Sequence, residues 1–345
     1  MKKLKLAVIG YGGMGSYHFD HLLPNEGELF ELVGVYDIKE DRQTLATEKG
    51  LKAYGSRDEL LADPEIDCIL IATPNDSHKE IAIAALEAGK QVVSEKPVTM
   101  NAAEMREIMA VAEQTGQVFM VHQNRRWDPD YLIVKELMNS GAIGDVFQIE
   151  SRVHGANGIP GDWRRLKQHG GGMLLDWGIH LLDQIMWMVD SPLKSIEADF
   201  STILGEECDD GYITYLTFEN GLRVITEVGT TNYIRLPRWY VKGTQGTAEV
   251  TDWDLSGKMV VATNADVAAP TPIQAGVGLT KTMAPPSEAA TKTLPLPKGL
   301  QLPQSFYQNF YDVIVNDGVP IVKNEEVLKV MELIDHIFEI VEKSN

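Results

Sequence analysis

An apolar, β-rich run, Leu4 to Ile9, meets Gly10-Tyr11-Gly12-Gly13-Met14-Gly15, and a helical pattern follows to Leu23. That order demands a strand, a turn too tight for side chains, and a helix. Gly10 permits the turn. Gly12 lets the backbone approach a pyrophosphate, and Gly15 lets the helix pack close to the strand. The helix N-terminus offers free N–H groups and a partial positive charge to phosphates. A second strand, Glu31 to Tyr36, ends at Asp37, which lies 22 residues beyond Gly15. An acid there accepts hydrogen bonds from the adenosine ribose hydroxyls and repels a 2′-phosphate, so NAD is favoured over NADP. Arg42 is the nearby cation that offers a 2′-phosphate an alternative. The plain role for Asp37 is that of a strand-end turn residue.

The alternation continues without a break to about residue 124. Ser56 reads as an N-cap for a short helix. Ile66 to Ala72 is continuously apolar, as a strand buried on both faces requires. It ends in Thr73-Pro74-Asn75-Asp76-Ser77-His78. A helix from Lys79 to Ala88 and a strand from Gln91 to Val93 follow. Ser94-Glu95-Lys96-Pro97 closes that strand. Asn101 then caps a helix to Thr115, and Val118 to Val121 is a further strand. The tips of such parallel strands are where a doubly wound sheet binds its ligand. Lys96 therefore falls at the expected nicotinamide end, where it can donate to a substrate oxygen or, with a lowered pKa, take a proton. Pairing with Glu95 is its plain alternative.

After Trp127 the pattern changes. Asp128-Pro129 opens a helix to about Met138. Strands follow at Val146–Val153, Lys194–Leu204, Tyr212–Phe218, Leu222–Val228, Arg238–Lys242 and Thr247–Thr251. Glu219-Asn220-Gly221 reads as a hairpin turn. This predicts a mostly antiparallel sheet with helices on one side, its other face open for self-association. One helix interrupts the series. It begins after Gly170-Gly171-Gly172 and carries Asp176 and His180 one turn apart on an otherwise apolar stripe, with Asp183 near the same line. An acid and an imidazole so placed suggest a proton-handling pair lining a cleft. A solvated helix pair is the alternative. Trp163, between Asp162 and Arg164-Arg165, suits the wall of a polar ring-shaped ligand or, alternatively, a core position. The stretch 264–300 reads as a long loop rich in Ala, Pro and Thr. Gln304–Asn316 and Asn324–Glu342 read as helices.

Bulk properties exclude some classes. The balance of 31 basic against 50 acidic residues gives a net charge of −19. A nucleic acid or an anionic membrane surface needs a positive patch, so neither is an expected partner. Two cysteines, Cys68 and Cys208, are too few for a disulfide framework. The expectation is free thiols in a cytoplasmic protein, with no window long enough for a membrane span and no metal site.

Taken together, GYGGMG at 10–15, Asp37, ATPNDSH at 72–78, EKP at 95–97, NRRWDP at 124–129 and DWGIH at 176–180 resemble the glucose–fructose oxidoreductase/inositol dehydrogenase (Gfo/Idh/MocA) family over essentially the whole chain. The resemblance implies an α/β fold: a Rossmann NAD-binding domain over residues 1–124, then an open-faced α+β domain over 125–345 that binds substrate and forms a homodimer or homotetramer through its sheet. It implies a catalytic set of Lys96, Asp176 and His180. The implied cofactor contacts are Gly10, Gly12, Gly13, Met14, Gly15, Asp37, Thr73, Pro74, Asn75, His78, Glu95, Lys96 and Asn124. Arg125, Trp163 and Arg164 join Asp176 and His180 on the substrate side. The activity implied is NAD-dependent oxidation of a secondary hydroxyl on a sugar, polyol or glycoside, with NADP as the lesser cofactor. Two alternatives stand beside it: cleavage of a glycoside through a keto intermediate with recycled bound NAD, and a non-catalytic NAD sensor.

Overall fold

The computed structural model describes residues 2–263 and 271–344. Its strands, in chain order, are β1 Leu4–Ile9, β2 Phe30–Tyr36, β3 Lys52–Ala53, β4 Cys68–Ile71, β5 Gln91–Ser94, β6 Phe119–Val121, β7 Val146–His154, β8 Leu193–Ser201, β9 Gly211–Phe218, β10 Arg223–Gly229, β11 Trp239–Gly243, β12 Gly246–Val250, β13 Gly257–Ala262, β14 Ile273–Ala275, β15 Gly278–Thr280 and β16 Thr291–Leu294. The first six form one parallel sheet in the order β3-β2-β1-β4-β5-β6. The order reverses direction beside β1, which places a ligand crevice at the carboxyl ends of β1 and β4. β4 is fully buried, as its unbroken apolar run requires. The helix Ala102–Thr115 starts where Asn101 accepts the N–H of Glu104 at 3.0 Å.

The second sheet has eight strands in the order β16-β13-β12-β11-β7-β10-β9-β8. It is mixed rather than purely antiparallel. β10 pairs with β7 in parallel, because the chain between them makes a long excursion before returning to the middle of the sheet. The loop expected at 264–300 is in part structured. β16 pairs with β13 at the sheet edge, and β14 and β15 form a small hairpin of their own. Residues 264–270 of that expected loop lie outside the described residues.

Alternation along β9 shows which face is covered. Tyr212, Thr214, Leu216 and Phe218 are buried, whereas Tyr215 is exposed and Ile213 and Thr217 are half-buried. The covered face carries the helix Ile179–Met188 and the helix Asn324–Ser344; Phe200 of β8 meets Phe338 at 5.6 Å. No element lies on the other face among the described residues.

The chain then returns to the first sheet. The helix Phe306–Asn316, opened by a capping box at Ser305 and Gln308, stacks Phe310 on Phe30 and sends the Tyr311 hydroxyl to the Lys2 carbonyl at 2.7 Å. Arg126 ties three segments together. Its guanidinium donates to both oxygens of Asp183, at 2.9 and 2.7 Å, and to Glu326 at 2.6 Å. Asp183 is thus a structural acid, not a member of the proton-handling stripe. Both members of the pair are at most 2 % exposed. Asp183→Asn removes the buried partner of Arg126 and leaves it only the half-buried Glu326 and the Ile321 carbonyl, so it is expected to lower unfolding stability by about 1–3 kcal/mol in a denaturant titration.

The segment that carries Asp176 is not a regular α-helix. Leu174–Gly178 forms a π turn that runs into the α-helix Ile179–Met188. Its start is held by buried Asp209, whose carboxylate accepts the Leu174 N–H at 2.8 Å. Gly172, at φ +102°, approaches that carboxylate so closely that a Cβ there would lie 2.1 Å from it. Burial pushes the Asp209 carboxyl up to about 7 from its ordinary 3.8. An acid whose folded pKa is raised loses stability as pH climbs from the unfolded value to the folded one. Asp209→Asn, which keeps an acceptor oxygen, is therefore expected to gain thermal stability relative to the native chain between pH 4 and pH 7. The gain should level off above pH 7, as read from unfolding midpoints across that range.

Candidate active site

The carboxyl ends of the parallel strands open on a cavity of about 690 Å³ whose wall includes Gly10, Gly12, Gly13, Met14, Asp37, Thr73, Pro74, Asn75, Glu95 and Lys96. Gly10 sits at φ +91°, and a Cβ there would lie 2.7 Å from the Ala72 carbonyl. A Cβ on Gly15 would lie 2.0 Å from the Gly10 oxygen. Those two glycines close the turn. Gly12 and Gly13 are different: nothing stands within 4 Å of where their Cβ would be, which leaves the backbone open to a phosphate. The cradle, its size and the acid at its far end fit a dinucleotide.

At the adenosine end, Asp37 accepts the Tyr11 N–H at 2.7 Å and the Lys39 N–H at 2.8 Å. Its carboxylate is thereby fixed at the tip of β2. Lys39, Arg42 and Arg57 line the same end. Arg57 is held by Glu80 at 2.9 Å, and Arg42 stands 3.3 Å from Asp41.

At the other end the structure brings together residues far apart in sequence. Lys96 Nζ donates to the Asp176 carbonyl at 2.9 Å and stands 3.6 Å from its carboxylate. The same carboxylate oxygen accepts from Arg164 Nε at 3.1 Å. Asp176 is thus held between two cations. The Lys96–Pro97 peptide is cis. Behind Lys96, buried Glu95 accepts from His18 Nε2 at 2.7 Å and from His122 Nδ1 at 2.8 Å, while the Tyr307 hydroxyl donates to His18 Nδ1 at 2.6 Å. Burial alone raises the Glu95 carboxyl, but the two imidazoles outweigh it and hold the group well below the usual carboxylate range. A fixed negative charge beside Lys96 follows.

His180 lies deeper than the sequence suggested. It is 4 % exposed and stands outside the cavity wall, not on an open cleft. Burial, then the charges of Lys96 and Arg125, push its imidazole well below 6.5, so the ring is neutral at pH 7. Its Nδ1 is buried without a hydrogen-bond partner. Buried polar atoms are rarely left so. Trp177 meets the ring edge-on at 5.9 Å, and the Arg125 guanidinium lies 4.3 Å over Trp177 and 5.3 Å over Trp253. Arg238 lies 4.9 Å over Trp253. An Arg–Trp cover thus closes the imidazole from the second sheet's side.

Trp163 and Arg164, expected on the substrate side, line one cavity with Gly12 and Gly13 as well as with Lys96 and Asp176, and Arg164 reaches the Asp176 carboxylate. They belong to a strap that crosses the groove, fastened where Asn75 Nδ2 donates to the Gly170 carbonyl at 2.9 Å and where His169 Nδ1 lies 3.0 Å from Asp76. His78, expected on the cofactor, is buried between the Pro97 carbonyl at 2.9 Å and the Thr73 carbonyl at 2.8 Å, and joins two strand tips. Asn124 opens a short 3-10 turn outside the cavity wall. The sequence reading missed His18, His122, Tyr307, Trp177, Trp253 and Arg238. Only Trp177 carried a local signal, its place inside DWGIH.

Comparison with known proteins agrees with this geometry. The sequence model of the oxidoreductase family with NAD-binding Rossmann fold matches residues 4–123, and that of the GFO/IDH/MocA C-terminal domain matches residues 131–249. The crystal structure of an NAD-binding protein from Listeria innocua is 58% identical, with a TM-score of 0.97, and the match covers 100% of this chain and 99% of that one. The scyllo-inositol 2-dehydrogenase (NAD(+)) of Bacillus subtilis is 29% identical over 71% of this chain and 73% of its own. The scyllo-inositol 2-dehydrogenase (NADP(+)) IolW of the same organism is 28% identical over 70% of this chain and 66% of its own. A glycine-cradled dinucleotide groove that ends at a lysine–aspartate contact, on a chain matched by both sequence models, makes this protein a member of the Gfo/Idh/MocA oxidoreductase family.

Proposed function

We propose that the chain is a dehydrogenase that interconverts a secondary hydroxyl and a ketone on a polyol or sugar, with NAD preferred. The observation that carries this reading is the neutral, buried His180 whose Nδ1 lacks a partner, together with the Lys96–Asp176 contact at the inner end of the groove. When bound, the nicotinamide supplies hydride exchange with the carbinol carbon. The residues of the chain handle the proton and the orientation. His180, neutral, accepts the hydroxyl proton. Lys96 donates to the same oxygen and steadies negative charge as it develops. Asp176 keeps Lys96 in place through its carbonyl and offers its free carboxylate oxygen to a neighbouring hydroxyl. The Arg125–Trp177–Trp253 cover has to move for substrate to reach the imidazole, and its return excludes water.

The first test is replacement. His180→Ala and Lys96→Ala are each expected to lower turnover by roughly 10²-fold or more, with cofactor binding retained by fluorescence titration. In the native enzyme the acid limb of kcat/KM for oxidation should fall well below pH 6.5, since the imidazole is pushed in that direction. Full activity in either variant removes that residue from the mechanism. A panel of inositols, sugars and glycosides with NAD and NADP, followed at the reduced-nicotinamide band, identifies the substrate.

Cofactor choice rests on Asp37. Its carboxylate opposes a 2′-phosphate, while Lys39, Arg42 and Arg57 stand ready to attract one. Asp37→Ser is expected to raise the NADP-to-NAD ratio of kcat/KM by about tenfold, or about 1.4 kcal/mol. An unchanged ratio places the determinant elsewhere.

The bare sheet face supports self-association. A row of cross-strand neighbours, Tyr215, Ile225, Glu150 and Tyr240, runs across it. Eight strands about 4.8 Å apart make a face wide enough for the ~800 Å² per partner that a stable dimer needs. We take a two-fold dimer through this face as the working assembly.

A further inference from the structure

The β14–β15 hairpin has no visible reason to be ordered within its own chain. Among the described residues, the stretch Ile273–Thr280 pairs only with itself. Val277 is 110% exposed, Leu279 77% and nearby Met283 78%. The side-chain hydrogen bonds of this stretch are local, such as Gln274 Nε2 to the Gly276 carbonyl at 3.1 Å and Met283 N to Thr280 Oγ1 at 3.2 Å. A lone two-stranded hairpin is marginal in water and needs a surface to pack on. Exposed apolar residues grouped on one projection mark such a contact.

A second exposed apolar group lies at the other end of the large sheet. Tyr233 is 88% exposed, Ile234 86% and Leu236 51%. Their loop is tied to the Trp253 loop by Arg235 and Asp252 at 2.8 Å. Trp253 in turn stands 6.1 Å from Trp177, the neighbour of His180. This loop is therefore the outer lip of the proposed substrate cleft.

Strand register shows that the two groups sit at opposite ends of the strands. Trp239 pairs with Val250, and Val250 with Gly257, so these residues form the row at the lip. Gly243 pairs with Gly246, Gly246 with Val261, and Ala262 with Thr291, at the far end. The hairpin leaves the sheet after Ala262 and its return begins β16 at Thr291, both at that far end. A two-fold axis lying in the sheet interface and crossing the strands reverses strand direction between copies. It sets the root of each hairpin beside the lip of the other copy, twice over, as an isologous contact requires.

We infer that the Ile273–Thr280 hairpin is an exchanged arm: it packs its Val277 and Leu279 side chains on the Tyr233–Leu236 lip of a second copy of this chain and so roofs that copy's substrate cleft. This rests on the face-to-face dimer taken above, and the test separates the two. The probe is a benzophenone maleimide on Val277→Cys, which labels selectively because Cys68 and Cys208 are buried. Labelled protein is mixed with an equal amount of ¹⁵N-substituted native chain and irradiated, and the linked peptides are read by mass spectrometry. The expected result is cross-links from position 277 to peptides of residues 230–237 or 251–255 that carry the other copy's isotope. Amide exchange of residues 273–280 in unlabelled protein should slow at least about tenfold as concentration is raised through the dimer transition. A dimer by sedimentation whose hairpin exchanges freely, or whose cross-links fall only on its own chain or on the sheet face, overturns the arm and leaves the dimer standing. A monomer at every concentration overturns both.

Discussion

Everything at the reacting end of this molecule depends on the contact between Lys96 and Asp176. One residue ends a strand of the parallel sheet, and the other begins the helix that covers the second sheet. The 2.9 Å bond from Nζ to the Asp176 carbonyl joins the two halves where a nicotinamide ring is expected. Glu95 supports this contact from behind. Its carboxylate is fixed by two imidazoles, and one of those is fixed by Tyr307 from the helix Phe306–Asn316. Lys96 Nζ therefore stands between buried Glu95 and the Asp176 carboxylate, 3.6 Å from the latter.

The two sides of the site are built by different means. The dinucleotide side is made by backbone: glycines that keep space clear and strand ends that present N–H groups. It is rigid because its sheet is buried on both faces. The side that holds His180 is made by large side chains stacked on one another, Arg125 on Trp177 and Trp253.

What was readable in the sequence follows from that division. The glycine turn, Asp37, the strand tips and the helix caps are local, and residues 10, 12–14, 37, 73–75 and 95–96 line one groove. The His18–Glu95–His122–Tyr307 cluster joins residues up to 289 positions apart, and no spacing rule connects them. The one-turn interval from Asp176 to His180 was visible, but the π turn through Leu174–Gly178 was not. A widened turn shifts where each side chain points, which is how Asp176 comes to face the groove while His180 turns inward. Asp183 shared the expected stripe, yet its carboxylate is spent on Arg126, a partner 57 residues away. The parallel pairing of β10 with β7 was equally out of reach, since turn residues report only on neighbours in sequence. Trp163 and Arg164 sit on a strap fastened by Asn75 and Asp76, partners more than 90 positions away from the residues they hold, which no local pattern reports.

The return of the chain to its first sheet has a consequence for how the protein is made. Tyr307 completes the clamp on Glu95, and Phe310 stacks on a strand that starts at residue 30. A nascent chain that has emerged only as far as the strap already contains every glycine of the phosphate cradle, yet the clamp on Glu95 beside Lys96 is still open. Ordinarily the N-terminal unit of a multidomain protein folds first on the ribosome. Here Tyr307 and Phe310 come from the helix Phe306–Asn316, so the packing of that unit is completed only after nearly the whole chain has been synthesised.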